Sequence, residues 1–176
     1  AAEYGLGGKM FSMTMEEGAR YLKETYQIPD STAGIVDGIN RQIEEFYLYE
    51  AELKTGAEEY LDRLAEKSVR LTAATSSDRY LVEAAFVRLG IDRYFDEVFT
   101  CSEAGAGKEE PTIYLKAASC MGTKPEETLV FEDALHAIET SAASGFITVG
   151  VYDASSEGQQ EEICRRAQLY LKAFDD

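Results

Sequence analysis

The chain has 176 residues, with 17 lysines and arginines against 33 aspartates and glutamates, and a formal net charge of −16. That balance leaves no basic face for phosphate counterion release, so nonspecific nucleic-acid binding is excluded, and it repels an anionic membrane surface. With 45% hydrophobic and 11% aromatic residues the chain can bury a core, and no uncharged apolar run approaches the ~20 residues of a transmembrane helix.

The first third reads as helices. Thr14-Met15-Glu16-Glu17 has capping-box spacing, and Ala19, Leu22 and Tyr26 then recur at steps of three and four. A second helix carries Ile35, Ile39, Ile43 and Phe46 on one face, and Gly56-Ala57 opens a third, with Leu61 and Leu64 expected to be buried. From Ser68 the period changes. Val69 to Thr75 reads as a strand that ends in Thr75-Ser76-Ser77; Asp78 to Leu89 is helical and stops at Gly90. Glu97 to Thr100 is a short strand, and Pro111 suits the first position of a helix running to about Cys120, closed by Gly122. Leu129-Val130-Phe131 reads as a buried strand delivering Glu132-Asp133, followed by a helix over 135–144 and a strand over 147–152. Strands alternating with helices of about ten residues predict a parallel α/β sheet preceded by a small all-helical part.

Cys101, Cys120 and Cys164 are odd in number and widely spaced without a CxxC pair. They predict neither a disulfide framework nor a zinc site, but small buried hydrophobes in the reducing cytoplasm. The single His136 excludes a multi-histidine metal centre. The first residues lack the basic flank and apolar stretch of a signal peptide.

Ligands of open α/β sheets sit beyond the carboxyl ends of the strands, and three groups are expected there. Thr75, Ser76 and Ser77 offer hydroxyls at a helix start, suited to phosphate, or Ser76 or Ser77 simply N-caps that helix. Lys108, in the pliable loop Gly105-Ala106-Gly107-Lys108, could reach across the strand ends or stay solvated. Glu132 and Asp133, leaving an apolar strand, are candidate ligands for Mg²⁺ or caps of the next helix.

Together, the segments LTAATSSDR, GKEEPTIYLKAA and LVFEDALHAIETSAASGFITVGV resemble the second, third and fourth motifs of the haloacid dehalogenase superfamily, particularly its β-phosphoglucomutase and phosphonatase subgroup. The resemblance covers nearly the whole chain. It implies a Rossmann-like parallel core over 54–176 and a small helical cap domain over 1–53. It implies a phosphatase or phosphomutase acting on a small phosphorylated metabolite through an aspartyl-phosphate, with Mg²⁺ offsetting the charge. Thr75 and Lys108 would be catalytic, Thr75, Ser76 and Lys108 would bind phosphate, and Asp133 with Glu132 would hold the metal.

One departure is large. The family's first motif, DxDGT, supplies the nucleophile, and the sequence contains no DxD; Asp37-Gly38 lies inside a helix pattern. The expectation is therefore a core short of its N-terminal strand and a chain inactive or severely impaired as given. Reading DNA upstream of Ala1 would decide whether that strand is encoded. The alternative is a non-catalytic remnant of the fold that binds a phosphate ligand or a protein. In relatives the missing strand lies between the strands corresponding to 69–74 and 129–131, so direct pairing of those two, or assembly into a homo-oligomer, is expected here.

Overall fold

The computed structural model describes Leu6, Met13 and residues 15–175. The capping box expected at the first helix depends on Thr14, which lies outside the described residues. The chain divides into two compact units, Ala1–Glu50 and Ala51–Asp176.

The first unit is helical. Helix α1 spans Met15–Tyr26 and α2 spans Thr32–Glu45, with Ser31 at the α2 N-cap accepting a bond from the Gly34 amide at 3.0 Å. Ala19 and Ile35 are buried between the helices. The apolar face does not close completely. The backbone passes from α2 into a π-helical turn, Phe46–Glu50, and Phe46 stays on the face expected of it. Phe46 and Ile43 are exposed, and with Leu22, Ile28 and Ile39 they line an apolar groove of about 570 Å³.

The second unit alternates strand and helix. Its elements are α3 (Ala57–Glu66), β1 (Thr72–Thr75), α4 (Arg79–Leu89), β2 (Glu97–Thr100), α5 (Cys101–Ala104), α6 (Thr112–Met121), β3 (Leu129–Glu132), α7 (Leu135–Ala143), β4 (Ile147–Val151), α8 (Gln160–Arg166) and β5 (Leu169–Leu171). Gly90 and Gly122 close α4 and α6 with φ of +71° each, the left-handed stop their positions predict. All strand pairs are parallel, but they form two sheets, β1-β2 and β3-β4-β5.

That division overturns the direct pairing expected of β1 and β3. Each strand satisfies one edge with its successor in the chain instead, β1 with β2 from Thr72↔Glu97 to Thr75↔Thr100, and β3 with β4 from Leu129↔Ile147 to Glu132↔Gly150. Helix α6 packs on β1 and β2 and sends Ile113, Tyr114 and Ala118 into a core with Ala137 and Phe146, against which Ala74 and Val130 also rest. The second unit thus shares one core beneath two short sheets.

Several burial expectations change with it. As an edge strand of its own sheet, β3 leaves Leu129 exposed and Val130 and Phe131 half-buried, so it is not the buried strand its composition suggests. Strand β1 begins at Thr72, and Val69 lies exposed ahead of it. Leu61 and Leu64 are half-buried. Cys120 and Cys164 are exposed and Cys101 is half-buried, contrary to the buried role expected of all three.

Candidate functional site

Thr75 ends β1, and its hydroxyl oxygen accepts a bond from the Ser77 amide at 3.0 Å. The turn consumes one amide at the start of α4 and leaves the Thr75 O–H as a donor. The α4 N-cap is Asp78, whose side chain makes no capping bond, while the Ser76 hydroxyl lies 3.5 Å from Cys101 Sγ. The N-cap position thus falls to Asp78 and not to Ser76 or Ser77.

Lys108 follows α5 in the loop before α6. Its ammonium lies 2.5 Å from Glu132 Oε1, and the two side chains are 17% and 6% exposed. A solvated lysine would show neither feature. The alternation of β3 explains the approach: Val130 and Glu132 share the strand face turned to the α6 core, whereas Phe131 on the other face meets the rings of Tyr60 and Phe174, with centroids 6.0 and 6.2 Å away. On its own face, Glu132 Oε1 accepts a second bond, from the Tyr114 hydroxyl at 3.1 Å. Burial, then the Glu132 charge, push the Tyr114 phenol well above its ordinary value, so it stays a protonated donor.

The acid pair divides its tasks. The N-cap of α7 is Ala134, so neither Glu132 nor Asp133 caps that helix. Asp133 is half-buried just beyond β3 and makes no hydrogen bond or ion pair among the described residues. No sealed side-chain polar atom lacks a partner among those residues, so the second oxygen of Glu132, which makes no bond, retains solvent access. No group of three or more His, Cys, Asp or Glu side chains is placed to hold a metal among the described residues. The oxygen chemistry of Asp133 and of Glu132 Oε2 nonetheless suits a hard cation such as Mg²⁺, which takes one or two carboxylates and completes its shell with water and phosphate oxygens.

The structure thus brings Lys108 and Glu132 into direct contact, with Asp133 next to Glu132 in sequence, while Thr75 closes the neighbouring sheet's first strand and Ser76 follows it. Sequence reasoning passes over Tyr114. Its signal was its place three residues after Pro111, on the buried face of an amphipathic helix.

Parallel strands alternating with helices, with Thr75 and the Glu132-Asp133 pair at strand ends, define a Rossmann-like α/β unit. A solved structure from Thermotoga maritima, provisionally assigned as a β-phosphoglucomutase, shares the fold with a TM-score of 0.80 at 23% identity, over 97% of this chain and 78% of that one. A sequence model described as haloacid dehalogenase-like hydrolase matches residues 2–145, and the chain belongs to that family. Among curated relatives, the phosphorylated carbohydrates phosphatase of Thermotoga maritima is 24% identical over 152 residues, 86% of this chain and 70% of the relative. The validoxylamine A 7′-phosphate phosphatase of Streptomyces hygroscopicus subsp. limoneus is 33% identical over 96 residues, 54% of this chain and 45% of the relative. The chain spans less than half of that second protein's length. No helix among the described residues is long and apolar enough to cross a membrane.

Proposed function

We propose that this chain carries the phosphate- and cation-binding part of a phosphoryl-transfer site for a small phosphorylated carbohydrate, working in the cytoplasm. The Lys108–Glu132 pair at the end of β3 carries the reading: an ammonium held at a strand terminus, beside an unengaged Asp133, in a chain of net charge −16. The phosphatase names of the relatives support the substrate class.

In this reading Thr75 donates its O–H to a phosphate oxygen. Ser76 offers a second hydroxyl at the same strand end. Lys108 has three donors, one of them spent on Glu132, and turns the others to the phosphate. Asp133 and Glu132 would hold Mg²⁺, which when bound supplies charge neutralisation for the transferring phosphoryl group. Residues 1–53 act as a cap governing access, and those from 54 form the reacting core. The 176 residues contain no DxD to supply the attacking carboxylate, so the chain by itself binds phosphate without turning over esters.

Two measurements test this. Isothermal titration with millimolar phosphate in Mg²⁺ should give a binding curve that Lys108→Ala and Thr75→Ala weaken; an absence of heat with the unmodified chain would refute the site. Hydrolysis of p-nitrophenyl phosphate with Mg²⁺ should stay at background. Turnover that Asp133→Ala abolishes would overturn the reading and require another nucleophile.

A further inference from the structure

We infer that Tyr114 is a positioning residue, whose hydroxyl fixes the Glu132 carboxylate so that one oxygen holds Lys108 and the other faces out of the core. The inference rests on the phosphate-site reading above and concerns a residue that reading does not use.

Three observations carry it. Tyr114 is 3% exposed, on the face of α6 turned to the core. Its hydroxyl reaches Glu132 Oε1, the same oxygen that Lys108 engages. Glu132 Oε2 makes no bond among the described residues and is not sealed from solvent. A carboxylate held by one donor can exchange its two oxygens by rotating about its last side-chain bond. Two donors converging on one oxygen from different elements, the 108 loop and α6, remove that freedom.

The second donor also changes the lysine. A hydroxyl bonded to Oε1 draws off part of the negative charge Lys108 faces, leaving its ammonium less committed to Glu132 and more available to an anion. Without the hydroxyl, Glu132 Oε1 turns its full negative charge on Lys108 and the site loses positive potential. Both effects weaken phosphate binding in the same direction.

The test compares Tyr114→Phe with Phe146→Leu. The first removes one oxygen and keeps the ring, which lies 6.1 Å from that of Phe146. The second loosens the same packing and keeps the hydroxyl. Inorganic phosphate is titrated calorimetrically into the full chain and each variant in Mg²⁺, and urea midpoints record folding. Tyr114→Phe should raise the phosphate Kd roughly three- to ten-fold, the worth of about one hydrogen bond, whereas Phe146→Leu should lower the urea midpoint and leave Kd within two-fold of the unmodified chain. Phosphate binding by the unmodified chain with equal affinity in Tyr114→Phe would overturn the positioning role alone. So would a Phe146→Leu loss as large as that of Tyr114→Phe, since packing would then explain both. A lack of phosphate binding by the unmodified chain would overturn the phosphate-site reading, and this inference with it.

Discussion

Removing the Lys108 ammonium, by Lys108→Met, leaves a buried carboxylate with one neutral donor. Glu132 is 7% exposed, and its ion pair with Lys108 is 2.5 Å long. Two unit charges 4 Å apart at an effective dielectric of 20 attract by about 4 kcal/mol, and breaking one side of a buried pair costs about 3–5 kcal/mol. Two features reduce that figure. Tyr114 keeps its bond to Oε1, and Lys108 is partly exposed, so water can follow the vacated side chain. A loss of about 2–3 kcal/mol is expected. Glu132→Gln should cost less, about 1 kcal/mol, because the freed lysine can swing into water while the amide still accepts from Tyr114. The double variant should be more stable than Lys108→Met alone, since no buried charge is left unpaired. Urea denaturation followed by circular dichroism, at constant m, reads all three; the chain has no tryptophan to report by fluorescence. A Lys108→Met loss below about 0.5 kcal/mol, or a larger loss for Glu132→Gln, would refute the buried-pair reasoning.

Three other outcomes follow from the second unit. Lys54 at 2.5 Å, then the Ser155 hydroxyl and amide, hold the Asp153 carboxyl at about 2; a lowered carboxylate contributes stability above its unfolded value near 4. That contribution is lost as pH falls from about 4 towards 2, so Asp153→Asn should flatten the acid limb of a stability–pH curve there and an unchanged limb would count against the clamp. A Cβ at Gly150 would lie 2.8 Å from Ile163 Cγ2 and 3.1 Å from Tyr170, so Gly150→Ala should destabilise by about 1–3 kcal/mol in a thermal or urea melt; an equal midpoint would show that α8 yields. Thiol labelling followed by mass spectrometry should modify Cys120 and Cys164 ahead of Cys101, and simultaneous labelling of all three would contradict their exposures.

Much of this fold was legible because its signals are local. The helix after Pro111, the stops at Gly90 and Gly122, and the strand of Glu97 to Thr100 each follow from one residue's backbone preference or a short pattern. What stayed hidden depends on partners distant in the chain. Leu129-Val130-Phe131 has the composition of a central strand, yet its exposure is set by which edges are paired, and pairing is a property of the sheet. Cys120 and Cys164 have the residue type of the core, but they fall on outward positions of α6 and α8.

The site shows the same limit in its electrostatics. Residue types alone nominate Lys108 as a cation and Glu132 with Asp133 as an acid pair. Geometry redistributes those charges: Lys108 and Glu132 neutralise each other in a poorly solvated place, so Asp133 is the carboxylate left without an ion-pair partner among the described residues. Two ions paired at 2.5 Å present an approaching phosphate with a dipole, whose field falls off faster than that of a free ammonium. In the proposed site, attraction at the strand ends would then come from close contact, through the Thr75 hydroxyl and the unspent lysine protons, and from a cation drawn by Asp133. The net charge of −16 favours that cation. An acidic surface that repels a free phosphate concentrates divalent ions, so if the proposed function holds, Asp133 and Glu132 are as necessary to phosphate capture as Lys108.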